Sequence, residues 1–497
     1  MNQRRAGALL SYFNIFLAII IQFAYTPIML RILGQQEFGV YSLSESVIAY
    51  LGLLNFGFSG SYLKFYSQYK AQNDDLSIKK LNAIYFIVFL IISILICIGG
   101  YSIVQNIKFI IGDNFTENEL QLTKILMVIM TVNMAVMMPN NAFTSITVAH
   151  ERFIFAKLLT IFKTVGSPLF ALPLLLLGYG SKGMSFVLMG ISIISLFLNI
   201  YYCLQKLKIG FEFRNLNWYV LKDIFAFSIY IFLWSIVDQL NWQVGKVVLA
   251  NIVGSTAVAV YTIGMQFTTL FMVFSTAISG VFTPQIYNCV YEKDASKKLT
   301  ELMIKVGRVQ FYVVFFIWIA FVIFGKPFIN LWAGTEYENA YFVGLLLMTP
   351  IIIALTQNIG IEILRAYNKH QIRTLLHLLL ALVNICIIIP LTKEYGEIGC
   401  ALGTCISTFV SSTVISNYFY SKIIKLNISL FFKEMLKFVP CISILSIMGI
   451  ALVMLIKIHT WVNLIFYITL FTLFYIFIMV KFAFNDYEKS LLKRFVK

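Results

Sequence analysis

The sequence is short of charge, of histidine and of any polar stretch long enough to fold by itself. Asp, Glu, Lys and Arg make up 12% of its 497 residues and 60% are hydrophobic, against about 25% charged residues in an ordinary soluble chain. No soluble core could hide so much apolar side chain. The longest polar intervals, near 63–80 and 284–308, are too short for a catalytic domain. No G-x-x-x-x-G-K phosphate loop leads into Lys246 or Lys326, the lysines that follow a glycine in a plausible context, which argues against ATP hydrolysis. His150, His370, His377 and His459 lack metal-ligand spacing, and the outer loops offer no paired carboxylates beyond Glu336 and Glu338. The seven cysteines lie in or beside apolar runs and read as small apolar fillers. Neither an enzyme nor a cofactor is expected.

What the sequence does have is apolar runs from end to end, each near the ~20 residues that a helix needs to cross the hydrocarbon at 1.5 Å rise per residue. They predict an all-α integral membrane protein of fourteen transmembrane helices, centred near residues 19, 51, 93, 134, 166, 195, 237, 269, 316, 352, 382, 407, 447 and 471. The intervening loops then alternate sides. Of the 38 Lys and Arg residues, 29 fall in one set: the N-terminus, the loops near 63–80, 148–157, 206–222, 284–308, 364–374 and 421–437, and the C-terminal tail. The opposite loops hold seven, and Lys163 and Lys246 lie inside spans. By the positive-inside rule both termini are expected in the cytoplasm and the number of spans is even. The net charge of +16 is thus a topology signal, and no nucleic-acid partner is expected. Arg4 and Arg5 precede an apolar run too long for a signal peptide, so a retained first span is the better reading.

Weak internal symmetry accompanies the spans. Ile32-Leu33-Gly34 with Val40-Tyr41 matches Ile252-Val253-Gly254 with Val260-Tyr261, and Tyr179-Gly180 with Gly183 matches Tyr395-Gly396 with Gly399. Two six-helix lobes, 1–210 and 220–425, followed by a helix pair and tail over 430–497, account for the pattern. Both matches run in the same direction, so the lobes are expected to be parallel repeats enclosing a central cavity.

A charged side chain in hydrocarbon costs roughly 2.5 kcal/mol or more at a helix centre, so each one needs a partner, water or a path to the interface. Five qualify: Glu45, Lys163, Asp238, Lys246 and Glu362. Glu362 has Arg365 three residues on, the spacing of an interfacial ion pair. Lys163, about two turns inside its helix, can snorkel or face a cavity. Asp238 and Lys246 bound the polar run Asp238-Gln239-Leu240-Asn241-Trp242-Gln243-Val244-Gly245-Lys246, in which Asp238, Asn241 and Gly245 share a stripe and Lys246 lies about 80° away. That run suits the wall of a hydrated cavity or, as the plainer alternative, a polar network between helices. Glu45 could pair with Arg31 across a short outer loop, whether for structure or function. Intramembrane amides such as Asn55, Asn133, Asn140 and Asn384 read singly as helix-to-helix glue.

Thr26-Pro27-Ile28-Met29-Leu30-Arg31-Ile32-Leu33-Gly34-Gln35-Gln36-Glu37-Phe38-Gly39-Val40-Tyr41 resembles the first-helix signature of bacterial polysaccharide flippases, in the exporter superfamily of the multidrug and lipid II exporters. Leu53-Leu54-Asn55-Phe56-Gly57-Phe58, Gly325-Lys326-Pro327 with Leu331-Trp332-Ala333-Gly334, Ala366-Tyr367-Asn368-Lys369, and Gly396 with Gly399-Cys400-Ala401-Leu402-Gly403-Thr404 resemble later motifs. Two departures stand out: Gly245-Lys246 where the family often has an acidic then a basic residue, and Asn55 where it often has Asp. The resemblance implies a flippase that carries an undecaprenyl-pyrophosphate-linked oligosaccharide to the outer leaflet of the bacterial inner membrane, for O-antigen, capsule or exopolysaccharide assembly. Its partners would be that substrate, membrane lipids and polysaccharide assembly enzymes. The cavity candidates are Lys246, Asp238, Asn241, Glu45, Arg31, Lys163 and Asn55, and the sequence does not tell whether a proton or sodium ion drives the cycle. The alternative is an ion-coupled multidrug exporter with Asp238 or Glu45 binding the cation. A membrane glycosyltransferase or polymerase is disfavoured for want of catalytic loops.

Overall fold

The structure, a computed structural model, describes residues 3–485, 488 and 489, apart from 217, 291, 368, 456, 457 and 459. Asn368, Lys457, His459 and the basic tail beyond residue 489 lie outside the described residues. Every regular element among the described residues is helical. Among the described residues ten helical runs are long and apolar enough to cross a membrane, so this is a multi-pass membrane protein. Ten runs are not yet ten crossings. Gln3–Ala71 has 69 residues and Gln371–Ile423 has 53, each long enough to cross twice. Both are broken by a glycine with positive φ, Gly34 at 71° and Gly396 at 58°. Elsewhere expected spans are fragmented: residues 340–366 form three short helices, Ala340–Met348, Ile351–Thr356 and Asn358–Ala366.

Local chemistry sets the helix ends. Asp74 accepts from the Ser77 backbone N–H at 2.9 Å and opens the helix Asp75–Gln105. Thr116 and Glu119 form a reciprocal capping box at the start of Glu117–Ala149. Prolines 27, 139, 168, 173, 327 and 390 sit inside helices, as membrane helices tolerate when neighbours satisfy the freed carbonyls.

The chain divides into two compact units, residues 1–259 and 260–497. Within the first unit the helix Tyr219–Trp242 lays Phe225 edge-on against Phe58 at 4.8 Å and Phe232 against Phe56 at 4.9 Å.

In the first unit, helix pairs are joined by buried polar bonds. Asn199 donates to Asn140 at 2.6 Å, and Tyr62 donates to Asn82 at 2.5 Å. Asn140 thus serves as the interhelical glue that its type suggests. In the second unit, Gln310 donates to the Ser275 carbonyl at 3.2 Å and Gln357 to Asn417 at 2.9 Å. Glu362 and Arg365 form the expected ion pair, at 2.7 Å. Large apolar side chains left exposed, Phe109, Leu177 and Val462 among them, face the surroundings, as a lipid-facing surface requires.

Candidate functional site

All seven candidate residues fall in the first unit, and the helical run Tyr219–Ile252 carries three of them. The run is not uniform. It divides at Gln243 into Tyr219–Trp242 and Val244–Ile252. Three sets of contacts hold it. Near residue 231, Gly57 has φ 73°, and a Cβ there would meet Ile231 at 2.9 Å, so only glycine permits this approach. Lys64 adds its ammonium over the Phe227 ring at 4.3 Å. Midway, the Tyr50 hydroxyl reaches the Gln239 carbonyl at 3.5 Å. At the far end, Asn114 donates to the Asn251 carbonyl at 2.6 Å and Asn251 to the Ile110 carbonyl at 3.2 Å. Ser255, opening the next helix, donates to Glu119 at 2.5 Å.

Within that frame the candidates separate. Lys246 is only 6% exposed, and Glu45 is the carboxylate whose charge acts on it. Among the described residues Lys246 makes no ion pair within 4 Å, and Glu45 is exposed. Asp238 is exposed and accepts from the Trp234 side chain one turn earlier. Asn241 is half-buried and Gly245 is buried. The stripe of Asp238, Asn241 and Gly245 therefore runs from open to closed surroundings instead of lining one surface. Asn55 is half-buried, with the Ser59 hydroxyl 3.4 Å from its side-chain oxygen. Lys163 is half-buried and Arg31 exposed. No ion pair between Arg31 and Glu45 is found among the described residues.

Sequence reasoning placed Gln239 and Gln243 in the polar run but singled out only Asn241 among its amides. The side-chain oxygens of Gln239 and Gln243, one turn apart, are buried without a hydrogen-bond partner, as are Asn14 Oδ1, Tyr25 Oη and Asn133 Oδ1 in the same unit. A buried polar atom left unpaired costs roughly 1–3 kcal/mol, so such groups mark places where water or a hydroxylated ligand belongs. The polar run was the available signal. In the second unit, Arg373 and His377 are buried one turn apart, although sequence placed Arg373 in a basic loop. Helix His370–Phe409 begins early enough to draw both inside.

Residues 28–341 match the family described as polysaccharide biosynthesis protein. The chain belongs to that family. Among its relatives, a Shigella flexneri protein named as an O-antigen transporter is 19% identical over 397 residues, covering 78% of this chain and 90% of that one. The capsular polysaccharide biosynthesis protein CapF of Staphylococcus aureus is 26% identical over 210 residues, covering 40% and 50%. Among solved structures, the lipid II flippase MurJ in an inward closed conformation superposes with TM-score 0.74 at 16% identity, covering 98% of this chain and 99% of that one. An inward-facing multidrug resistance MATE family transporter of the MOP superfamily gives 0.66 at 15% identity, covering 82% and 96%. At such identities the superpositions establish the fold that this family member shares with both, and no more.

Proposed function

We propose that this protein is a flippase of the bacterial inner membrane that moves an undecaprenyl-pyrophosphate-linked oligosaccharide from the cytoplasmic to the outer leaflet by alternating access. The observation that carries the reading is the occurrence on one helical run of a buried cation, Lys246, and two buried amide oxygens without a hydrogen-bond partner, those of Gln239 and Gln243. A pyrophosphate needs a positive charge and sugar hydroxyls need amide partners, while ~30 Å of hydrocarbon forbids both to cross unaided. Family membership and the relatives' names favour a polysaccharide precursor over a drug. In this reading two parallel six-helix repeats rock about the substrate and an additional helix pair follows. Matching positive-φ glycines support the repeats: Gly34 and Gly254, Gly112 and Gly334, Gly180 and Gly396. Both termini lie in the cytoplasm on the charge distribution.

Deleting the gene tests the proposal. Undecaprenyl-linked oligosaccharide should accumulate on the cytoplasmic leaflet, with loss of surface polysaccharide and unchanged resistance to cationic dyes. Dye sensitivity with normal surface polysaccharide would establish the multidrug alternative instead.

A further inference from the structure

A polar cavity opens in the first unit, at the starts of helices Glu117–Ala149 and Gly180–Tyr201, the opposite ends from the basic loops near 148–157 and 206–222. Its volume is about 610 Å³, within the ~300–1,000 Å³ typical of small-molecule sites. Its lining includes Glu37, Asn118, Gln121 and Lys182 together with Tyr179 and Phe186. None of these belongs to the Lys246 site.

The cavity is built around a fixed carboxylate. Glu37 accepts from both the backbone N–H and the hydroxyl of Ser181, at 2.6 and 2.7 Å, through the same oxygen, Oε1. Gly180 makes this possible: its φ is 57°, and a Cβ there would collide with Oε1. Beside the carboxylate, Tyr179 leaves its ring 62% exposed. An interfacial tyrosine alone would be ordinary in a membrane protein. Here it stands at a cavity whose lining also carries an anchored acceptor, two amides that both donate and accept, and an ammonium.

We propose that this cavity is a second binding site, for one or two sugar units of the oligosaccharide, on the outer side of the membrane. Vicinal hydroxyls both donate and accept, which the carboxylate, the Gln121 and Asn118 amides and Lys182 together complement. The apolar face of a pyranose ring packs on an aromatic side chain. A phospholipid phosphate is the poorer occupant, because the Glu37 carboxylate faces the same space and repels it. The site would capture the head group as it leaves the inner site and so oppose its return. This inference rests on the flippase reading for its sugar and its sidedness.

The test uses the full-length protein in nanodiscs, with the reducing oligosaccharide released by mild acid from the host's own lipid-linked precursor as probe. Saturation-transfer difference NMR should show sugar protons in contact with the protein. Tyr179→Ala and Gln121→Ala should each weaken binding about tenfold, the size of one aromatic or charge-supported contact, while Tyr179→Phe retains it. Binding unchanged in Tyr179→Ala and Gln121→Ala but lost in Lys246→Ala would overturn the outer site and leave the flippase reading standing. So would transfer confined to phospholipid headgroup protons, with none from the sugar. Normal surface polysaccharide in the deletion strain would instead remove the flippase reading itself.

Discussion

Gly39 lies so close to Ser255 that a Cβ added to it would collide with the Ser255 carbonyl oxygen. Gly39-Val40-Tyr41 belongs to the first-helix signature, and the structure gives its glycine a packing reason: two backbones meet there with no room for a methyl group. Gly39→Ala should force the helices apart at about 1–3 kcal/mol, the range of overpacked cores. Lower thermal stability in detergent and less protein in the membrane are expected. Gly52→Ala, whose Cβ would meet only Met134 at an ordinary 3.7 Å, is the control and should leave both unchanged.

Lys246 and Glu45 should behave as one unit. Lys246→Ala should abolish surface polysaccharide at normal protein level, and Lys246→Arg should retain part of it, because the charge survives with altered geometry. If Glu45 acts through Lys246, Glu45→Gln should add little to the loss already caused by Lys246→Ala. Polysaccharide quantified in the single and double variants checks this. Independent losses would place Glu45 in a separate role, and full export by Lys246→Ala would remove the lysine from the mechanism.

In the second unit Arg308, 6% exposed, is clamped by Glu488, 4% exposed: Nε to Oε1 at 2.7 Å and Nη2 to Oε2 at 2.9 Å. Tyr312 donates to the same carboxylate at 2.7 Å, and the guanidinium lies over the Phe438 ring at 4.6 Å. Removing one partner of a buried pair costs about 3–5 kcal/mol, more than replacing both by apolar residues. Thermal unfolding should rank Glu488→Ala well below both the unaltered protein and the double variant Arg308→Met with Glu488→Met. A Glu488→Ala protein as stable as the unaltered one would show that Glu434, 3.5 Å from Nη1, suffices alone.

Sidedness can be read directly. In a cysteine-free background, cysteines placed at Asp113 and Glu336 should react with an impermeant reagent added outside, and those at Asp75, Asn215 and Ala295 should not. Outside labelling at any of the last three would overturn the orientation.

The membrane class was legible because hydrocarbon imposes it on composition: no arrangement of this sequence could bury 60% apolar residues in water. The polar run before Lys246 was legible for the same reason, since each such residue stands out against Phe, Ile and Val. What sequence did not give was who faces whom. Glu45 could pair with Arg31 across a short outer loop by sequence, whereas no such ion pair forms among the described residues. Asp238, Asn241 and Gly245 share a helical stripe by periodicity, but the break at Gln243 and the packing on Phe56 and Phe58 give them different surroundings. Arg373 looked like a loop residue because basic residues end spans, and only tertiary packing draws it inside.

The clamp on Arg308 also has a timetable. Its first carboxylate, Glu434, is made 126 residues later and its second, Glu488, 180 residues later. At about 5–20 residues per second the ribosome needs roughly 10–35 s to supply the last. Between Glu434 and Glu488 the arginine has only the more distant of its two carboxylates available. The second unit therefore settles only after Glu488 has been made, and a chain truncated before Glu488 should be cleared by quality-control proteases however complete its apolar runs.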